Sequence, residues 1–188
     1  MKMACALAGL LLLAGMASAA VIHVPAQYPT IQQGINAAAS FDTVLVADGI
    51  YTGAGNKNLD FYGRSLVLMS EGGADNCLIE CQGSGRGLYL HSGETSSAVV
   101  KGFTIAHGNM ALGGGIHLAN SSPRLENCII HHCQTSSNGG GVYISGGSPA
   151  FIHCTIAANS AQNGGGVYTT LANSSFNSCI VAENQAAG

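Results

Sequence analysis

A Gly-Gly-Gly triplet recurs at Gly113-Gly114-Gly115, Gly139-Gly140-Gly141 and Gly164-Gly165-Gly166, at spacings of 26 and 25 residues. A second marker reads Phe103-Thr104-Ile105, Cys128-Ile129-Ile130, Cys154-Thr155-Ile156 and Cys179-Ile180-Val181, and steps by 25, 26 and 25. Two independent markers with one period define a repeat. A unit this short cannot bury its own apolar face. It must stack on its neighbours, which makes a solenoid.

Aligning the repeats gives columns: Val100, Leu125, Phe151, Phe176; then Phe103, Cys128, Cys154, Cys179; then Ile105, Ile130, Ile156, Val181. After the triplets come Ile116, Val142, Val167 and then Leu118, Ile144, Thr169. Steps of two residues within a repeat are strand period, with both members on one face. The three-residue step from Val100 to Phe103 requires a bend or bulge. Asn120-Ser121-Ser122-Pro123, Gly146-Gly147-Ser148-Pro149 and Asn173-Ser174 supply turns. A leucine-rich repeat would need Leu-x-x-Leu-x-Leu followed by Asn or Cys, which is not found. Each repeat therefore reads as one coil of a parallel β-helix, with coils about 4.8 Å apart.

The run Cys154-Thr155-Ile156-Ala157-Ala158-Asn159, followed by Gly164-Gly165-Gly166-Val167-Tyr168, resembles the right-handed parallel β-helix repeats of secreted bacterial proteins. Pectate lyases and their relatives share that fold. The motif is also similar to the Phe-x-x-Asn and Gly-Gly-Ala-Ile repeats of polymorphic outer-membrane autotransporters. Asn184 matches the asparagine of the pattern, while Gly108 and Cys133 interrupt it. The resemblance covers Val21 to Gly188 and implies an all-β, right-handed parallel β-helix. It does not select an activity, because the fold hosts many.

Before the coils, Lys2 precedes an apolar run from Met3 to Met16 and an Ala17-Ser18-Ala19 cleavage site. This pattern predicts a bacterial signal peptide over 1–19, and hence a secreted or cell-surface protein with no spanning segment after cleavage. Removing Lys2 takes the formal charge from −3 to −4, and removing Cys5 takes seven cysteines to six. Residues 20–42 form an N-terminal cap, in which Thr30-Ile31-Gln32-Gln33 is a capping box opening a helix to about Ala39. Residues 43–97 give irregular first coils, and 98–188 give regular ones. The next triplet is due near position 189, so the domain is expected to be truncated at its C-terminus. The chain should be monomeric unless that open edge associates.

Only 8% of residues are charged, with six Lys plus Arg against nine Asp plus Glu, which excludes a basic nucleic-acid footprint. Lyases of the resembled fold use acidic Ca²⁺ ligands with an Arg or Lys base, and its hydrolases use clustered carboxylates. From Ala98 onward there are only Glu126 and Glu183, in different columns, with Glu126 stacked on Lys101. The acids Asp42, Asp48, Asp60, Glu71, Asp75, Glu80 and Glu94 precede them, mostly as turn residues. No catalytic residue and no cofactor is assigned.

His107 and His132 share a column beside His131, with His153 one coil on. Neighbours on a strand face opposite ways, so His131 and His132 are not expected to converge, and no metal is assigned. Cys128, Cys154 and Cys179 are expected as a buried thiol stack, and Cys77 and Cys81 are too far apart to bridge if extended. His117, Tyr143 and Tyr168 occupy an outward column and are the candidate binding residues, for a polysaccharide or cell-surface glycan. The expected function is a structural, adhesive or glycan-binding β-helix. The alternative is a polysaccharide lyase or hydrolase whose active site lies in further C-terminal coils.

Overall fold

Four left-handed corners per coil turn short strands into a closed helical path. The computed structural model describes residues 18–188; the apolar leader lies outside the described residues. The first sheet has seven strands: Val21–Val24, Thr43–Val46, Val67–Ser70, Val99–Lys101, Arg124–Glu126, Ala150–Ile152 and Ser175–Asn177. The second has six: Gly49–Tyr51, Cys77–Glu80, Thr104–Ala106, Ile129–His131, Thr155–Ala157 and Ile180–Ala182. The third has four: Leu88–Leu90, Ile116–Ala119, Val142–Ser145 and Val167–Thr170. A short pair, Ser160–Ala161 with Gln185–Ala186, completes the ladder near the C-terminus. All pairings between these strands are parallel, and from Val67–Ser70 onward the chain visits the three sheets in turn. This is an all-β parallel solenoid.

The register places like on like. Val100, Leu125, Phe151 and Phe176 stack in the first sheet, and Ile105, Ile130, Ile156 and Val181 in the second. The rings of Phe151 and Phe176 lie 4.7 Å apart and 8° from parallel. Ile116, Val142, Val167 and Leu118, Ile144, Thr169 line the third sheet as expected. Fully burying each such aliphatic side chain contributes about 1.5–3 kcal/mol.

The bend after the first sheet falls on Gly102, Asn127, His153 and Ser178, with φ of 74°, 50°, 52° and 53°. The bend after the second falls on His107, His132, Ala158 and Glu183, with φ between 52° and 56° for the first, third and fourth and 51° for His132. The glycine triplets make the third corner. Their first members take φ of 65°, 71° and 60°. Their second members lie where the next coil's backbone comes closest: a Cβ on Gly114 would sit 2.5 Å from the carbonyl oxygens of Gln134 and Gly140.

The capping helix spans Ile31–Ala37 and ends two residues before the Ala39 that the sequence predicts. Thr30 caps it, its Oγ1 accepting from the Gln33 N–H at 3.3 Å. The early stop comes from Asp42, whose carboxylate accepts from the Ala39 N–H at 2.8 Å and the Ala20 N–H at 2.7 Å. Ile31 and Ile35 are buried against the first strands. Gly34 lets the helix approach, since a Cβ there would meet Val24 Cγ2 at 2.7 Å.

All six cysteines of the described residues are free thiols, and all but Cys179 are buried. In the stacked column each thiol donates to a first-sheet carbonyl one coil earlier: Cys128 to Val100, Cys154 to Leu125 and Cys179 to Phe151, at 3.7, 3.4 and 3.5 Å. Contact with the Cys154 thiol, together with burial, raises the Cys128 thiol well above its ordinary range. Cys133 fills the asparagine position of its coil. Its sulfur accepts from the Gly108 N–H at 3.4 Å, as Asn159 Oδ1 accepts from Cys133 N–H at 2.9 Å and Asn184 Oδ1 from Asn159 N–H at 3.0 Å.

Two outcomes follow. A thiol reagent applied to the native mature protein should label Cys179 rapidly and the five buried thiols slowly, with six reacting after non-reducing denaturation; no free thiol in the denatured chain would refute the stack. Gly140→Ala should lower stability by about 1–3 kcal/mol, read as a shift in urea midpoint, because the added methyl meets backbone that cannot yield. An unchanged midpoint would contradict the close coil contact.

Candidate functional site

The outward residues of the third sheet form one ring row. Tyr89 pairs with His117, His117 with Tyr143 and Tyr143 with Tyr168. Centroid distances along the row are 5.0, 4.9 and 5.7 Å, and Tyr143 and Tyr168 are stacked at 9°. Tyr89 also stacks on His91 at 4.0 Å. Tyr143 and Tyr168 thus cover one another's facing sides, whereas His117 meets Tyr143 edge to face. Among the described residues the Tyr89, Tyr143 and Tyr168 hydroxyls have no protein partner, and no buried polar side-chain atom lacks one. These hydroxyls therefore face solvent.

Of the three residues read from the sequence, Tyr143 and Tyr168 are half-buried, but His117 is 9% exposed. His117 points outward and is covered by Arg86, whose Nη1 donates to its Nδ1 at 2.6 Å. Burial first, then the neighbouring Arg86 charge, lowers the His117 pKa to about 4. Its imidazole is neutral near pH 7, with the ring proton on Nε2. Arg86 lies 5.0 Å over the Tyr89 ring. Arg86, Tyr89, His117, Asn58 and the Met110–Leu112 segment enclose a pocket of about 300 Å³.

Tyr89 and Arg86 were not singled out by the sequence. A signal existed: Gly87-Leu88-Tyr89-Leu90 has the same Gly-aliphatic-ring-aliphatic order as Gly141-Val142-Tyr143-Ile144. The earlier coil keeps the first and third glycines of the triplet, Gly85 and Gly87, with Arg86 between them, so the triplet marker passes over it.

A second cluster sits at the corner after the second sheet. Glu80, His107 and His132 line a pocket of about 500 Å³ with Cys133, Gln134 and Ser160. Glu80 Oε2 bonds His107 Nδ1 at 2.8 Å. His131 and His132 do converge, with their Nδ1 atoms 2.7 Å apart, contrary to the expectation from strand alternation. His132 is a left-handed corner residue, so the alternation ends at His131. His153 lies at the other corner of its coil. Among the described residues no group of three or more His, Cys, Asp or Glu is arranged to hold a metal. Burial raises the Glu80 carboxyl, but hydrogen bonds from His107 and the Gln82 N–H outweigh it, leaving the pKa lowered.

Other acids fasten the backbone. Glu94, 1% exposed, accepts from the Gly63 and Ser92 N–H groups and from Ser121 Oγ at 2.9, 3.0 and 2.7 Å. Glu126 lies 3.9 Å from Lys101, in the register read from the sequence.

With this geometry in hand, comparison with known families is specific. The model of the right handed beta helix region matches residues 46–188. The chain belongs to that right-handed β-helix family. No curated protein and no solved structure matches it.

His117 gives the site a pH signature. Its pKa is depressed in the folded state, so its contribution to stability is complete above about 6.5 and is lost as the pH falls towards about 4. Urea midpoints should fall across that window, and His117→Gln should flatten the fall by an amount of at most about 3 kcal/mol. Equal slopes in the two proteins would contradict the buried neutral imidazole.

Proposed function

We propose that this is an exported, non-catalytic β-helix that binds a glycan along the outward face of its third sheet. The carrying observation is the row of Tyr89, Tyr143 and Tyr168 hydroxyls, unpartnered and solvent-facing. Neighbouring coils of a parallel solenoid present equivalent groups at the strand spacing, about 4.8 Å. A polymer of sugar residues lying along the axis meets the Tyr143 and Tyr168 hydroxyls one coil apart and the Tyr89 hydroxyl two coils before Tyr143, each able to donate and accept. The rings are held by their neighbours, so little side-chain entropy is lost on binding. The leader over 1–19 supports export. Asp42 and Glu94 hold backbone, and Glu80 is bonded to His107, which supports binding over hydrolysis.

The test separates hydroxyls from rings. Tyr143→Phe/Tyr168→Phe keeps the stack and removes the hydroxyls. Retention on an immobilised neutral and acidic polysaccharide panel should drop roughly tenfold or more, since each lost hydrogen bond costs about 0.5–1.5 kcal/mol. Tyr143→Ala/Tyr168→Ala should abolish retention without unfolding the chain. Retention unchanged in both would overturn the reading.

A further inference from the structure

Arg86 is 7% exposed. The ion pairs among the described residues are His91–Asp60, Lys101–Glu126, His107–Glu80 and Arg124–Glu126, and none includes it. A largely buried guanidinium without a carboxylate has lost hydration and gained no counter-charge. Among the described residues its side chain makes one protein hydrogen bond, through Nη1 to His117 Nδ1. Since no buried polar side-chain atom lacks a partner, Nε and Nη2 retain contact with solvent. The adjoining pocket of about 300 Å³ includes Met110, Ala111 and Leu112 in its wall. That volume sits at the small end of ligand pockets, enough for a compact group rather than a whole oligomer.

We propose that Arg86 is an anion subsite at one end of the tyrosine row, taking the carboxylate or sulfate group of an acidic sugar. The planar fork of Nε and Nη2 matches two oxygens of either group. Asn58 adds a donor. Its Oδ1 already accepts from the Arg86 N–H at 3.0 Å, so its exposed amide nitrogen remains for the ligand. The apolar wall lowers the local dielectric and strengthens the pairing. His117 contributes a neutral ring that positions the guanidinium without adding charge. Repulsion by that guanidinium helps keep the ring neutral. The proposal deepens the glycan reading of the same face and rests on it.

The experiment is affinity electrophoresis in gels containing sodium polygalacturonate, dextran sulfate or neutral dextran. Wild type should be retarded more by at least one acidic polymer than by dextran. Retardation by polygalacturonate but not dextran sulfate identifies a carboxylate, and the reverse a sulfate. Arg86→Met should cut the acidic preference at least about tenfold while keeping the melting temperature, because an apolar side chain of similar length replaces an unpaired buried charge. Arg86→Lys keeps the charge but not the fork, and should recover part of the preference. It also serves if the methionine variant fails to fold. Equal retardation of wild type by all three polymers, or an acidic preference unchanged in folded Arg86 variants, overturns the subsite. Those results leave the tyrosine row standing if its own variants still lose retention. Tyrosine variants with unchanged retention remove the glycan face instead.

Discussion

Everything in this molecule depends on coils stacking residue on equivalent residue. In a parallel ladder the side-chain period is two, so a slip of one position would turn each inward column outward. The register is held through the corners as well as the strands: Ile129 N–H donates to Phe103 O, Thr155 N–H to Cys128 O and Ile180 N–H to Cys154 O, each at 2.9 Å. The corners make that continuity possible. A left-handed residue redirects the chain without an insertion, and Asn and His tolerate that conformation better than most residues. Asn127, His153, His107, His132 and Asn120 all sit there. Corner chemistry thus accounts for three of the histidines before any ligand is considered.

The same stacking explains how a chain with 8% charged residues satisfies its polar groups. Asn184 receives the Asn159 N–H and returns a donor to Ile156 O at 2.8 Å. Asn159 repeats the pattern towards Cys133 N–H and Ile130 O. One coil earlier a sulfur replaces the amide, and its weak acceptor meets Gly108 N–H. The ladder ends there, because Gly108 in the preceding coil has no side chain to extend it and a Cβ at that position would meet the Gly114 carbonyl. The cysteine column works likewise, its thiols donating to carbonyls of the coil before. These side chains bond along the solenoid axis, where ion pairs would require desolvating charge.

The inward columns were legible in the sequence because burial, β-branching and fixed spacing all act on them together. Phe151 over Leu125 and Ile156 over Ile130 follow from the repeat alone. The corners were not legible in that way. His131 and His132 converge because φ changes sign at His132, and no alternation rule carries across that point. Residue identity hinted at the left-handed positions without fixing them. His117 shows the complementary gap. Its outward direction followed from spacing, but its burial depends on Arg86, 31 residues earlier, in a coil where the triplet reads Gly85-Arg86-Gly87. Burial of an outward side chain is set by what the previous coil places above it. The helix end likewise depended on Asp42, a partner outside the helical pattern.

Alternation separates the two faces of the third sheet into independent tasks. Leu88, Ile116 and Val142 fill the core, while Tyr89, His117 and Tyr143 face outward from the intervening positions. Changes to the outward row therefore need not disturb the packing that fixes its spacing. The row is itself restrained at one end and along its length: Tyr89 lies between His91 and the Arg86 guanidinium, and Tyr143 between His117 and Tyr168. Such restraint removes much of the ordering cost that flexible loops meet on binding. It also limits adaptability, because a ligand must conform to an interval set by backbone hydrogen bonds. A solenoid face of this kind selects by period first and by local chemistry second. Arg86 is where the local chemistry departs from the period, since the equivalent place in the later coils is glycine: Gly114, Gly140 and Gly165. Backbone of the following coil excludes a side chain at those glycines, whereas the Arg86 coil carries one there, and it is a cation.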